Sequence, residues 1–459
     1  MSGSVDAQHQ GLLPWIEDLL GGRVTSCDRQ GDRRSGGRPA YFVEVETPGG
    51  EAKRLYARMS RGMGSGGPFS LSAEHAVLQE LHAAGIAVPE PLGLCPDPEC
   101  LLLECLPGDF DYAAIDDEAR RDAIDRAFVA EIAKVHALDV GRFESRGLRA
   151  PKTQDEFALN DLAHWEKAFQ YGAKRPVPLV RFALRWLHGH VPAMPERAVL
   201  IQGDTGPGQF LFEGGALTGI IDWEFAHLGD PMLDLAQIRT RDWYNPGADL
   251  KKWFAYYAEY SGLPVDLPRL RYYTVKAMLI TPLALAGPVH SMHPSLDHAE
   301  WYAQDVSYQR GVAEALAEAA GIELEPYAPE EPPASLRAPV FEILEHELEN
   351  AIPGMVEDAF HSYRVGLTRR LATYARNIER LGPAFEAAEL KEMGALLGQR
   401  PADVATGNAQ LEEFVESPSL SDHQEERLVR YFHRHAVREE RLMQGALGAG
   451  EHAVRQPIA

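Results

Sequence analysis

The stretch 200–223, LIQGDTGPGQFLFEGGALTGIIDW, sets two aspartates, Asp204 and Asp222, at the ends of short apolar runs with an amide, Gln209, between them. Phosphoryl transfer from a nucleotide asks a protein for this kind of set. One carboxylate stands beside the attacking hydroxyl, a second holds Mg2+ against the phosphates, and a neutral oxygen completes the metal site. A hairpin through Phe210-Leu211-Phe212 and Gly219-Ile220-Ile221 would return Asp222 to the end of the molecule where Asp204 sits. Asp230 and Asp234, in GDPMLDLA, read instead as aspartates that open and brace a helix.

The elements that must position these residues fall into two kinds. Residues 11–20 have the spacing of a short amphipathic helix. Alternation then predicts antiparallel strands, with Tyr41, Val43 and Val45 on one face, a turn at TPGG, and a return through Leu55 and Ala57 to Arg58. A glycine-rich run, RGMGSGGPFS, precedes a helix in LSAEHAVLQELHAAG, and VPEPLGLCPDPECLLLECLPG supplies two more strands. From about residue 112 to 325 the apolar residues recur at three and four, as in IDRAFVAEIAKVHALD and RYYTVKAMLITPLALAG. This is an α+β arrangement, a small β-rich lobe followed by a helical one, with a ligand expected at their junction. PYAPEEPPASLR, residues 326–337, reads as a linker, and residues 338–459 as an all-helical module.

Composition narrows the function classes. The chain has 459 residues, 45% hydrophobic and 25% charged, with a formal net charge of -23. That charge argues against sequence-independent binding to a nucleic-acid backbone. Nine basic residues face five acidic ones between Arg23 and Arg61, so a local positive surplus suited to an anionic ligand sits inside an acidic protein. No window approaches the roughly 18 uninterrupted apolar residues of a membrane span, and the start lacks a basic segment followed by an apolar one, so a cytoplasmic protein without membrane contact is expected. Cys27, Cys95, Cys100 and Cys105 read as reduced thiols without a metal. His346, Glu357 and His361 lie near one another in sequence but lack the paired E-x-x-H motifs of a carboxylate-histidine metal site; such a site would make the helical module a metal enzyme.

IQGDTGPGQFLF followed by GIIDWEFAHLGDPMLDLA resembles the paired motifs of the aminoglycoside phosphotransferase and choline kinase family, relatives of protein kinases. The resemblance runs over about residues 12–320 and is closest to the branch fused to acyl-CoA dehydrogenases, where HWEKAFQYG and RWLHGHVP have similar counterparts. It implies a protein-kinase-like two-lobe fold: a nucleotide-binding lobe over 1–108, a catalytic and substrate lobe over 109–325, the linker 326–337, and an added helical domain over 338–459. By the same resemblance Asp204 is the catalytic base, and Asp222 and Gln209 are the metal ligands. Arg58 touches the nucleotide phosphates with Glu74 as its helix partner, and Glu104, Cys105 and Leu106 form the hinge that meets the purine. His136 is structural. Gln202 stands where the family has the histidine of His-Gly-Asp, and Gln209 where it has asparagine.

The expected activity is Mg2+-dependent transfer of the γ-phosphoryl group of ATP or GTP to a hydroxyl. A hydroxyacyl-CoA or related hydroxy acid is favoured slightly over an aminoglycoside-like or choline-like acceptor. The alternative is a weak or inactive pseudokinase, a nucleotide-binding scaffold whose two glutamines mark a decayed site. Under either reading, the C-terminal helices are where a protein partner or a second copy is expected.

Overall fold

The computed structural model describes residues 10–30, 38–60, 69–291, 297–418 and 420–458. Helix α1 (Leu12–Leu20) leads into strands β1 (Arg23–Arg29), β2 (Ala40–Glu46) and β3 (Ala52–Met59), then helix α2 (Leu71–Ala83), then β4 (Pro91–Pro96) and β5 (Glu99–Glu104). The five strands form one antiparallel sheet in the order β1-β2-β3-β5-β4. Its two faces follow from the two-residue strand period. Tyr41, Val43, Val45, Leu55, Ala57 and Met59 are buried with Leu12 and Ile16 of α1. Arg58, one step out of phase, therefore points to the other face, toward α2 and the cleft. The glycine-rich run 61–68 and Arg33, Arg34 and Arg61 lie outside the described residues.

The helical lobe contains α3 (Glu118–Ala137), α4 (Gly141–Glu144), α5 (Gln154–Leu159), α6 (Leu162–Gly172) and α7 (Pro178–Gly189). Four short strands follow: β6 (Val199–Ile201), β7 (Phe210–Glu213), β8 (Ala216–Ile220) and β9 (His227–Gly229). β7 pairs with β8 as the expected hairpin; β6 pairs with β9, a three-residue strand that no sequence period announced. Helices α8 (Pro231–Tyr244), α9 (Leu250–Ser261), α10 (Leu267–Ser291) and α11 (His298–Ala320) complete the lobe.

Residues 326–335 form neither helix nor strand, yet they are pinned to the helices that follow. Glu331 pairs with Arg380 at 2.9 Å and also with Arg441, and the Tyr327 hydroxyl accepts from Arg438 at 2.7 Å. Beyond them stand α12 (Ala338–His346), α13 (Ala359–Leu397), α14 (Val404–Val415) and α15 (Asp422–Met443), then a 3-10 turn at Gly448–His452. Met393, Leu411, Val415, Leu428, Tyr431 and Phe432 belong to the same buried apolar cluster as the helical lobe, with the Phe182 and Phe432 rings 5.6 Å apart. The C-terminal helices thus share a core with the lobe they follow. Among the described residues no three His, Cys, Asp or Glu side chains converge as a metal cage. His346 pairs with Asn350 and His361 with Asp358, so the carboxylate-histidine pattern of the helical module is made of surface contacts.

Candidate active site

Three short loops build the site, and the first is held from below by one buried carboxylate. Asp234, on the first turn of α8, accepts from the backbone N–H of Gln202 at 3.0 Å and of Gly203 at 3.1 Å, from the Thr205 hydroxyl at 2.6 Å, and from His136 Nε2 at 3.0 Å. His136 Nδ1 lies 2.9 Å from the Tyr257 hydroxyl. Burial opposes the Asp234 charge, yet these donors outweigh it and hold the carboxyl below its ordinary range. Asp230 caps α8 by accepting from Met232 N–H at 2.9 Å. Both aspartates and His136 thus bond to the loop and the helix around them. Gly203 has φ +91°, and a Cβ there would stand 2.6 Å from the Phe225 carbonyl oxygen, so the turn that delivers Asp204 requires glycine.

Gln202 joins the two aspartate loops. Its Nε2 donates to the carbonyls of Ile221 at 3.1 Å and Asp222 at 2.8 Å, while its Oε1 accepts from Asp204 N–H at 2.8 Å and lies 3.0 Å from the Thr205 hydroxyl, whose proton goes to Asp234. An amide with two donors and one acceptor oxygen satisfies both sides at once. Asp222, with φ +62°, is the one non-glycine residue in the left-handed region among the described residues. Such a conformation costs on the order of 1 kcal/mol or more and persists where the surroundings over-determine it, here through the Gln202 bond.

Asp204 Oδ2 accepts from Gln209 Nε2 and lies 3.4 Å from Arg241 Nη1. Arg241 also donates twice to the Pro207 carbonyl, which clamps the catalytic-type loop to α8. Burial raises the Asp204 carboxyl to about 6; Arg241 and the Gln209 bond pull it down, and Asp222 pushes it up.

Across the cleft, Arg58 donates to Glu74 at 2.8 Å and forms ion pairs with Asp222 at 2.7 Å and with Glu224 at 3.1 Å. Arg38 adds a second cation on Glu224 at 2.8 Å. Burial disfavours the Arg58 charge, but the three carboxylates keep the guanidinium firmly protonated. Glu74 is raised to about 7 by burial, with Arg58 pulling the other way. Of the three acids on Arg58, Asp222 has a side chain 29% exposed against 2% for Glu74 and 8% for Glu224, so it is the one that faces the cleft. Arg54, on the same strand, stacks over Phe42 at 4.8 Å.

Glu104, Cys105 and Leu106 run from the end of β5 toward the β7–β8 hairpin. Glu104 N–H donates to the Glu90 carbonyl and Cys105 N–H to that of Arg54, both within the β-rich lobe. Leu106 packs over Gly219 of β8, where a Cβ would collide with it, and Asp109 exchanges two backbone bonds with Phe212 of β7. The segment therefore bridges the lobe carrying Arg58 and the hairpin carrying Asp222.

On the outer side of Asp204 lies a cavity of about 520 Å³ between α6, α8, α10 and α11. One wall is an aromatic cluster: Phe69 stacks on Trp165 at 5.9 Å and meets Phe225 edge-on at 5.2 Å. Its charged groups come in pairs, with Asp161 2.6 Å from Lys276 and Asp204 beside Arg241.

A profile described as "Phosphotransferase enzyme family" matches residues 35–273. The chain belongs to this family. The two aspartate motifs and strands β2 to β9 fall inside the match, and β1 precedes it. Among curated proteins, this phosphotransferase is similar to acyl-CoA dehydrogenase family member 10 of Mus musculus, 26% identical over 178 residues, 36% of this chain and 16% of that one. It is also similar to acyl-CoA dehydrogenase family member 11 of Rattus norvegicus, 23% identical over 278 residues, 55% of this chain and 33% of that one. The phosphotransferase thus spans a third or less of the length of these relatives. A crystal structure from Ralstonia eutropha, provisionally assigned as an aminoglycoside phosphotransferase, shares the fold with TM-score 0.51 and 18% identity, covering 67% of this chain and 95% of that one. The kinase-like two-lobe fold is therefore established, and no helix among the described residues is long and apolar enough to cross a membrane.

Of the eight residues anticipated for the site, Asp204 lines the cavity, Gln209 bonds to Asp204, Arg58, Glu74 and Asp222 meet in one ion-pair cluster, and Glu104, Cys105 and Leu106 form the connection between the lobes. Arg38, Glu224 and Arg241 were missed. Glu224 lies two positions beyond Asp222 in IDWE, and Arg38 within the basic surplus, so each had a signal; Arg241 had none.

Proposed function

We propose that this phosphotransferase moves the γ-phosphoryl group of ATP or GTP to a hydroxyl of a small molecule. The observation that carries the reading is the pairing of Asp204 with Asp222. Gln202 binds both loops, Asp204 opens onto the cavity, and Asp222 faces the Arg58 side of the cleft.

The donor set fits Mg2+. Asp222, whose Oδ1 has no hydrogen-bond partner among the described residues, and the amide oxygen of Gln209 would hold the ion through hard oxygens. The bound ion would neutralise charge on the β- and γ-phosphates. Arg58 supplies a fixed cation for the same phosphates, and Glu74 and Glu224 hold it in place. At the hinge, the Glu104 and Cys105 N–H groups are spent on the sheet, so the Leu106 N–H is the donor for the purine. Asp204 accepts the hydroxyl proton as the acceptor oxygen bonds to the γ-phosphorus and the bond to the β-phosphate oxygen breaks, releasing ADP or GDP. A carboxyl at about 6 is charged at neutral pH yet basic enough to take that proton.

The acceptor is a hydroxy acid or hydroxyacyl thioester. Two features support this: the aromatic and aliphatic cavity wall with its charges paired, and the acyl-CoA dehydrogenase names of the relatives. A screen of hydroxyl acceptors by ADP or GDP release tests it. Asp204→Ala is expected to lower turnover about 10³-fold or more. Nucleotide stabilisation against heat should require Mg2+ and vanish in Asp222→Ala. Transfer that survives both substitutions would sink the proposal, and metal-free nucleotide binding without transfer would establish the scaffold instead.

A further inference from the structure

The cavity beside Asp204 is not closed by the phosphotransferase lobe alone. Glu300, on the first turn of α11, lines it, and so does Ala449 of the C-terminal 3-10 turn. Glu300 Oε1 accepts from the Tyr244 hydroxyl at 3.2 Å and from Gln304 Nε2 at 3.1 Å. Glu300 Oε2 accepts at 2.7 Å from Arg370, which stands on α13, well beyond the linker. Two further bonds fix the Arg370 guanidinium in this position, as its Nε donates to the Ala446 carbonyl at 2.7 Å and its Nη2 reaches the Ala299 carbonyl at 3.4 Å. The contact is anchored by apolar packing of Ala303 and Val306 against Met443, Ala446 and Leu447.

Resting on the reading of this cavity as the acceptor pocket, we infer that the C-terminal helical region is part of the acceptor site and sets its charge. Arg370 neutralises Glu300 in the wall, so the pocket takes a neutral or anionic alcohol with an apolar body and turns away polycationic acceptors. Each of the three carboxylates lining the cavity then has a cation: Asp204 has Arg241, Asp161 has Lys276, and Glu300 has Arg370. Without Arg370, Glu300 would keep the neutral donors Tyr244 and Gln304 but lose this cation. A charge left less balanced in a partly buried wall acts on a ligand across low dielectric and is screened far less than a surface charge.

The test uses the full chain and a matched pair of probes, a medium-chain hydroxy acid and the amino alcohol of the same length. Dissociation constants come from calorimetry and transfer rates from ADP release. Arg370→Met should shift the binding ratio toward the amino alcohol by about tenfold or more, and Glu300→Gln, which leaves Arg370 unopposed, should shift it toward the hydroxy acid. The double variant should return near the parent ratio. Ala449→Trp should weaken both probes and leave nucleotide affinity alone. Should Arg370→Met fail to fold, the opposite shift in Glu300→Gln still decides. Unchanged ratios in the folded single variants, or undisturbed acceptor binding in Ala449→Trp, would overturn the inference. Because binding needs no turnover, shifted ratios without transfer would fail the kinase reading alone, and transfer with ratios indifferent to Arg370 and Glu300 would fail this inference alone.

Discussion

Asp204 is the residue on which pH should act. Below its value of about 6 the carboxyl is protonated and cannot take the acceptor proton, so kcat/KM should fall about tenfold per pH unit on the acid side, and a pH profile measures this. The same group carries a stability signature of known sign. Its folded value lies above the ordinary 3.8, so between these two pH values the native state holds a proton that the unfolded chain has released. Native stability therefore declines as pH rises through this window and stays lower above it. Asp204→Asn removes that penalty and should stabilise the inactive protein by about 1–3 kcal/mol at pH 7.5, with the gain fading below about pH 4. Urea titrations at the two pH values check it; equal stability at both would show that the carboxyl is not desolvated. Gln202 belongs to this scale as well. The sequence shows only that it replaces a histidine, whereas the structure shows three bonds that span both aspartate loops. An amide making every bond the position needs is a working brace.

The pairing of β3 with α2 governs the nucleotide side. Arg58 and Glu74 are sixteen positions apart, and strand alternation plus a helix turn brings them together. Both are largely buried, and a buried ion pair is most costly when only one partner is removed. Glu74→Ala is expected to cost about 3 kcal/mol of stability by denaturant titration. It should also raise KM for the nucleotide more than it lowers kcat, because Arg58 would keep Asp222 and Glu224 but lose its tether to α2. A variant with parental stability and KM would show that Asp222 and Glu224 alone hold the guanidinium. These elements were legible because they obey local periods. The partner strand β9 was not, since three residues, His227 to Gly229, carry no period and are a strand only because β6 lies beside them.

For the whole molecule, a shared apolar core joins the C-terminal helices to the helical lobe. We expect calorimetry of the full chain to show one transition for the helical lobe and residues 338–459, and a chain ending at residue 325 to be insoluble. Such a truncation would uncover the lobe residues that pack on Tyr431 and Phe432. A soluble 1–325 fragment melting like the parent would refute this. The proline- and acid-rich stretch 326–337 reads as a linker by composition, but composition reports backbone preference, not the arginines on α13 and α15 that pin Glu331.

The sequence by itself determined the two-lobe order, the strand face that buries Tyr41 and Val43, and the Asp204, Gln209 and Asp222 set. These are written in short periods and in motifs whose residues are close along the chain. Only the tertiary structure decided that Arg38 reaches Glu224 across 186 positions, that Arg241 stands at Asp204, and that Arg370 from the last helices balances Glu300 in the cavity wall. Such pairs form where distant elements pack, and a charge separated from its partner by tens of residues or more looks, in sequence, like any other surface charge.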